Sequence, residues 1–369
     1  MRFAYVPDGQ STYYRRVLRG VARFARSRDD VEVQAEHLTS LGAYYALDRV
    51  GYDGVILGSF SERSEEVGRL RTPAISVSNT YPGLRFPQVV TDDREVGRLV
   101  AQHLLSKGYR HFAYWGTEFI WGQQRWEGFS STIIAARGEE CAPARTTTRG
   151  RTAIRRWLRR LPLPLGLMTA NDMMGADAIE ACHRLGLRVP EDIAVVGVDD
   201  DDFFSELTKP PLSSVAQQSE RIGYLAAELL ARLVLGETIP DSTIIPPGPL
   251  MARQSSHGIV TTDTLVAQAA LFMAQNLTRG ANIASVTEAF HVSRRSLELR
   301  FEAALGRTPG QELVRLRIDR ARDLLATTNL PLKQVALLSG FSGPVRMNQV
   351  FRQSLNQTPL AYRRAFLPQ

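Results

Sequence analysis

The sequence predicts two α/β lobes followed by an all-helical domain. Three observations carry that reading. Strand-like and helix-like segments alternate through residues 1–255, amphipathic helices replace the alternation from residue 262, and the excess charge is confined to the helical part. The chain has 369 residues with 45 Lys and Arg against 38 Asp and Glu, a net charge of +7. Residues 261–369 hold 14 basic and 7 acidic residues, which leaves 31 of each for the first 260. A neutral front joined to a basic rear suits a nucleic-acid binder with a separate sensing part; a solvated basic face is the plainer alternative.

Composition excludes several classes. A hydrophobic fraction of 44% with 22% charged residues is that of a globular protein, not a disordered one. Two cysteines, Cys141 and Cys182, cannot form a disulfide framework or a Cys-rich zinc module. No run reaches the roughly 18 apolar residues of a membrane helix. The opening MRFAYVPDGQ has no apolar stretch long enough for a secretory signal, so a cytoplasmic protein is expected. The six histidines, His37, His103, His111, His183, His257 and His291, show no metal-ligand spacing, and no phosphate loop, nucleophile elbow or HExxH motif is present. No cofactor and no enzymatic activity are expected.

The elements follow in order. RFAYVP (2–7) is a short apolar run, and the next stretch places Val17, Leu18, Val21, Phe24 and Ala25 on one helical face. VEVQAEH (31–37), DGVILGSF (53–60) and PAISVSN (73–79) read as strands bounded by Gly, Pro and Asp. VGRLVAQHLLSKG (96–108) is an amphipathic helix closed by Gly108, and HFAYWG (111–116) a buried strand. LGLMTA (165–170), a helix over 172–186, DIAVVGVD (192–199) and a helix over 219–236 continue the pattern. Repeated βα units predict parallel sheets, and ligands bind beyond the carboxyl ends of such strands.

That rule singles out Tyr13, Tyr14 and Arg15 after the first strand, Trp115, Trp121 and Arg125 after HFAYWG, Asn171 and Asp172 after LGLMTA, and Asp199–Asp202 after DIAVVGV. Amides, carboxylates and a guanidinium beside aromatic faces suit a sugar, with paired donors and acceptors for hydroxyls and a ring to stack on. Structural alternatives stand beside each assignment: a helix cap for the Asn-Asp pair, a solvated loop for the aspartates and core packing for Trp115.

The motifs TANDMMGADAIEACHRLG, IAVVGVDDDDFF, VTDDREVGRLVAQHLLSKGYRHFAYWG and RWEGF resemble the effector domain of LacI/GalR-type regulators over residues 1–255. The resemblance implies a two-lobed periplasmic-binding-protein-like fold. It also implies that Arg125 of RxxGF, Asn171 of AND and Asp199 of GxDD contact a small molecule held between the lobes. Arg125 and Asn171 are expected to donate, Asp199 to accept, and Trp121 or Tyr13 to stack on the ring. LacI-type repressors carry a DNA-binding headpiece before the sensor; here the first sensor strand starts at Arg2, so another module is expected to bind DNA.

The rear part supplies one. NIASVTEAF, HVS and RRSLELRFEAALG read as helix, turn and helix over 282–305, with Ser293 as cap and Val286, Ala289, Val292, Leu297 and Phe301 packing the pair. Arg294, Arg295, Ser296 and Arg300 lie on the outer face, where arginine reads guanine or grips phosphate. About 50 residues on, the pattern recurs over 332–355 with Arg346, Asn348, Gln349 and Arg352. A connecting helix over 309–326 spans about 27 Å, enough to set the two readers in successive major grooves. These segments resemble the AraC/XylS DNA-binding domain. Two departures mark the second copy: RMN (346–348) replaces an early aromatic, and Asn356–Gln357 replaces the glycine before the last TP.

A LacI-like sensor (1–255) followed by an AraC-like reader (256–369) resembles the XylR-type sugar regulators. The resemblance implies a xylose-like monosaccharide effector, double-stranded DNA as target, a homodimer, and RNA polymerase as a further partner if the protein activates transcription. The rival expectations are a ligand-independent DNA binder, a solute-binding protein for transport and a sugar-modifying enzyme.

Overall fold

The computed structural model describes residues 1–7, 11–36, 43–58, 67–80, 85–138, 143–148, 150–257, 259–261 and 263–366. His37, Cys141 and the end of the predicted 53–60 strand lie outside them. The elements run β1 (Arg2–Val6), α1 (Thr12–Arg26), β2 (Glu32–Ala35), α2 (Ala43–Val50), β3 (Gly54–Leu57), β4 (Ala74–Ser76), β5 (Gln88–Thr91), α3 (Asp93–Ser106), β6 (His111–Trp115), α4 (Ile120–Arg137), β7 (Ala144–Thr146) and α5 (Arg151–Leu158). They continue with β8 (Leu165–Thr169), α6 (Asp172–Arg184), β9 (Ile193–Asp199), α7 (Asp202–Leu207), β10 (Ser213–Ala216), α8 (Ser219–Val234), β11 (Ser242–Ile245) and β12 (Leu250–Met251). Among the described residues only helical elements follow: α9 (Thr264–Gln275), α10 (Ile283–Ala289), α11 (Arg294–Leu305), α12 (Pro309–Thr327), α13 (Leu332–Leu338), α14 (Pro344–Leu355) and α15 (Pro359–Phe366).

The described residues group into two units. The first comprises residues 1–98, 116–131 and 216–247. Its sheet has the order β11-β5-β4-β3-β1-β2, with parallel pairing throughout. Strand alternation sorts the side chains: Phe3 and Tyr5 join Val17, Val21, Phe24, Ile222 and Leu230 on the face covered by α1 and α8. Ala4 and Val6 join Leu57, Leu70 and Phe86 on the other. The continuous apolar runs of the sequence are thus strands covered on both faces.

The second unit comprises residues 99–115, 132–215 and 248–369. Its sheet has the order β12-β10-β9-β8-β6-β7; β7, β6, β8 and β9 pair in parallel, and the short β12 runs antiparallel to β10. Trp115, Leu165, Leu167, Ile179, Cys182, Ile193 and Val195 form its core. Trp115 is 3% exposed and its indole N–H donates to the Thr148 carbonyl at 2.9 Å, so this tryptophan is a packing residue, the plainer of its two readings. Burial pushes the Cys182 thiol up to about 12, which leaves it inert at neutral pH.

The same unit contains the two helix-turn-helix copies. Val286, Leu297 and Phe301 are fully buried with Val266, Met273, Leu313 and Leu316. Val335, Met347, Val350 and Phe351 pack with Ile318, Leu325 and Tyr362. Helix α12 therefore contributes its first half to one core and its second half to the other, as a rigid connector must. Ser293 caps α11 by accepting from the Ser296 amide at 3.2 Å. One expected contact is corrected: Ala289 is exposed, and Phe290 takes the inward position and meets Phe272 edge to face at 5.8 Å. The inward face of α10 runs from Val286 to Phe290, four residues on rather than three.

Both departures in the second copy are absorbed by the fold. Met347 occupies the buried place that Leu297 holds 50 residues earlier. Asn356 adopts φ 53°, ψ 22° and caps α14 as Gly306, at φ 64°, ψ 24°, caps α11. Asparagine is the side chain that best tolerates this left-handed geometry after glycine.

Candidate functional site

In the first unit a buried polar cluster forms around Arg125. Its guanidinium Nε donates to Asp93 Oδ1 at 2.8 Å, and the two side chains are 5% and 3% exposed. Asn79 Nδ2 donates to Asp93 Oδ2 at 3.3 Å and to Gln124 Oε1 at 3.0 Å. The Arg125 guanidinium also lies over the Trp121 ring, 4.7 Å from its centroid, and Trp121 packs against Phe119. Burial holds the Asp93 carboxyl above the usual carboxylate range, outweighing the opposing pull of Arg125.

Two glycines set this geometry. A Cβ on Gly97 would stand 2.0 Å from the Arg125 carbonyl, and one on Gly128 1.9 Å from the Arg94 carbonyl. Only glycine lets the two backbones approach so closely, which brings Arg125 onto Asp93; the Gly of RWEGF is therefore a packing requirement. Tyr13 sits at the start of α1, half-buried, with its hydroxyl donating to the Val77 carbonyl at 2.8 Å. Tyr14 meets the Tyr13 ring edge to face at 5.2 Å.

The second unit sorts the acidic run residue by residue. Asp199 ends β9 at φ 114° and Asp200 follows at φ 50°, two consecutive left-handed residues that are not glycine. Such backbone is strained and persists only where the surroundings impose it. Asp200 pairs with Arg253 at 2.6 Å, Asp201 caps α7 by accepting from the Phe203 amide at 3.0 Å, and Asp202 is exposed. Asp172 is 1% exposed and accepts from Ser214 Oγ at 2.6 Å and from the Asp201 amide at 2.8 Å. Burial, and then the charge on Asp199, hold Asp172 well above its ordinary range. Gly197 makes room for it, since a Cβ there would be 2.1 Å from Asp172 Oδ1. Asn171 caps α6, its Oδ1 accepting from the Met174 amide at 2.9 Å. The cap uses the oxygen and leaves the Nδ2 donors for other work.

Of the sequence-derived sensor residues, Trp121 and Arg125 are in direct contact, with Tyr13 in the same unit; Asn171 and Asp199 lie at neighbouring strand ends of the other unit. Asp93, Asn79 and Gln124 escaped the sequence reading. The DD pair of VTDDREVG was a signal for Asp93, but nothing in it points to a partner 32 residues away.

The reader residues divide by engagement. Arg294 is 75% exposed and pairs with Glu298 one turn on at 2.8 Å. Arg295 is exposed, and Ser296 is half-exposed with its amide held by Ser293. Arg300 makes a two-point contact with Asp263, at 2.6 and 2.8 Å, and Asp263 in turn caps α9. Arg346 donates to Gln349 at 2.8 Å, and Asn348 and Arg352 are exposed.

A further ionic cluster joins the last turn of α3 to α12. Glu312, fully buried, accepts from Arg307 and Arg315, each at 2.6 Å, and Arg315 also pairs with Asp319 at 2.7 Å. Arg307 Nη2 donates to the Ser106 carbonyl at 2.6 Å, and the Val260 amide to the Lys107 carbonyl at 2.7 Å. Burial pushes Glu312 up, but the Arg315 hydrogen bond and the charges of Arg315, Arg307 and Lys107 prevail and bring it down to about 2. Lys107, 4% exposed, is lowered to about 8 by burial and by Arg315.

Comparison with known proteins gives two family matches and full-length relatives. A periplasmic binding protein-like domain family matches residues 101–256 and a helix-turn-helix domain family residues 286–365. The xylose operon regulatory protein of Haemophilus influenzae is 26% identical over 382 residues, covering 98% of both chains. That of Escherichia coli K12 is 26% identical over 384 residues, covering 98% of this chain and 96% of the relative. A solved structure of the xylose-binding transcription activator XylR aligns with a TM-score of 0.62 and 25% identity over 98% of this chain and 97% of that one. No described helix is long and apolar enough to cross a membrane. The order of domains, their agreement over the full length and the paired helix-turn-helix copies identify a sugar-responsive DNA-binding transcriptional regulator similar to the xylose operon regulatory proteins, a periplasmic-binding-protein-like sugar sensor followed by an AraC-type reader.

Proposed function

We propose that a xylose-like monosaccharide is the effector. Arg125 and Asn171 donate to hydroxyl oxygens, Asp199 accepts from hydroxyls, and Trp121 or Tyr13 covers the apolar ring face. The observation that carries this reading is the buried Asp93–Arg125 pair beneath the Trp121 ring, a charged donor already fixed next to an aromatic face. The relatives that regulate xylose operons support the sugar class. The protein acts in the cytoplasm as a homodimer and activates transcription by contact with RNA polymerase. Sugar works only through its different affinity for two arrangements of the sensor, one of which favours DNA binding.

On DNA, α11 and α14 enter successive major grooves. Helix α12, 19 residues long, measures about 28 Å against a DNA turn of roughly 34 Å. Arg294, Arg295 and Ser296 from the first copy, and Arg346, Asn348, Gln349 and Arg352 from the second, meet base edges and phosphates. Arg300, held by Asp263, meets a phosphate or fixes the angle of α11.

Titration calorimetry with D-xylose and a set of other monosaccharides tests the sensor. The expected result is saturable binding of one sugar class, abolished in Asp199→Ala and Trp121→Ala, with sugar-independent DNA affinity retained in both. Equal sugar affinity in wild type and Asp199→Ala would overturn the assignment of the site.

A further inference from the structure

The two recognition helices share one frame but present different chemistry. Leu297 and Met347, then Phe301 and Phe351, are fully buried at a constant offset of 50 residues, which fixes the register of α11 against α14. In that register Arg295 corresponds to Val345, and Glu298 to Asn348. Val345 is 83% exposed, the highest value among the exposed large hydrophobic side chains described. It stands at the second position of α14, after Gly343 and Pro344. Proline already starts this helix, and β-branched valine is a modest helix former, so local structure gives no reason for an apolar side chain there. Asn348 lies three residues on, on the same helical face, and is also exposed.

We propose that the second copy reads A·T pairs through Val345 and Asn348, whereas the first reads through Arg295. A branched methyl pair packs on the 5-methyl group of thymine, and an asparagine amide accepts from N6 and donates to N7 of adenine. The residues are about 4.5 Å apart along the helix axis, close to the roughly 3.4 Å base-pair step, so they address neighbouring pairs. Arg346, tied to Gln349, flanks them and holds the backbone. The operator is then unsymmetrical: a thymine with an adjacent adenine in the half-site of α14, and a guanine or a phosphate contact in that of α11. This inference rests on the proposed entry of both helices into the major groove.

Selection of tandem sites from a randomised duplex pool by the full-length protein, followed by single thymine-to-uracil replacement, provides the test. Uracil keeps every hydrogen-bonding group of thymine and lacks only the methyl. At one position in the α14 half-site, wild type is expected to lose affinity about 3- to 10-fold. Val345→Ala should bind the thymine site as weakly as wild type binds the uracil site, with no further loss on replacement. Asn348→Ala should lose the neighbouring adenine preference, and Arg295→Ala should bind more weakly with its uracil response intact. Tight, selective binding by wild type that is blind to uracil at every position overturns the inference alone, as does a uracil response that survives in Val345→Ala. Failure of wild type to select any duplex overturns the groove reading and the inference with it. Circular dichroism confirms folding, which an exposed position leaves undisturbed.

Discussion

Charge is buried in two regions of the chain, and the two are balanced differently. Around Arg125 in the sensor, one acid faces one base, and burial still holds Asp93 above its ordinary range. Around Glu312 at the junction of sensor and reader, two arginines close on one buried acid, and Glu312 falls to about 2. At Glu312 the hydrogen bonds and neighbouring cations outweigh burial; at Asp93 burial prevails. A fixed joint gains from keeping its central acid charged and paired, because each unmet buried charge costs several kcal/mol.

Removing the central acid of the junction is the strongest test. Glu312→Gln leaves Arg307 and Arg315 facing a neutral amide, and breaking such a buried pair costs about 3–5 kcal/mol. Urea denaturation followed by loss of DNA binding should show a transition shifted by that amount. The contribution of Glu312 has a definite sign with pH. Its folded value, about 2, lies below the ordinary 4.5, so the stabilisation is present above 4.5 and is lost as the pH falls toward 2. A cost below about 1 kcal/mol would remove the contrast between the two regions.

Asp93→Asn makes the matching change in the sensor, and the expected loss is smaller, about 1–3 kcal/mol. The amide oxygen still accepts from Arg125, the contact from the Asn79 amide is lost, and Arg125 still has the Trp121 face. The pH sign is reversed. A carboxyl held above its ordinary 3.8 is worth most when protonated, so the advantage of wild type over the variant shrinks as the pH rises through the folded value. Denaturation of both proteins between pH 4 and pH 8 checks this. A difference that grows with pH would place Asp93 in the same class as Glu312. Sugar affinity should fall along with stability here, whereas Glu312→Gln should leave it unchanged.

Much of this was legible in the sequence because it is local. Strand runs, the Gly108 and Ser293 caps, the 50-residue repeat and the connecting helix all follow from periodicity and short-range chemistry. Asn171 shows where that stops: a cap and a ligand donor look alike in sequence, and the structure shows that the oxygen does the capping while the amide donors are not used by it. The acidic run shows the same limit, since Asp200 and Asp201 differ only through Arg253 and α7. Ala289 was misplaced by one position because helical periods of three and four are indistinguishable over two turns. The junction was invisible: Ser106 and Arg307 stand 201 residues apart, and nothing near either announces the other.

The smallest expected effect has the opposite sign and sharpens the comparison furthest. Near Glu312 two acids, Glu312 and Asp319, meet three cations, Arg307, Arg315 and Lys107. Lys107 is the surplus charge, and burial with Arg315 lowers it to about 8. A base held below its ordinary value of 10.5 favours the fold fully only above 10.5, and that contribution is lost as the pH falls through 8. Lys107→Met removes the surplus, leaves two acids with two arginines, and keeps the apolar stem that the site buries. The variant is expected to be about 1 kcal/mol more stable at pH 7, with the gain shrinking toward pH 9. A variant less stable by more than about 1 kcal/mol would mean that the ammonium holds Glu312 or Asp319 directly. The junction would then depend on a three-cation network rather than on its two arginines alone.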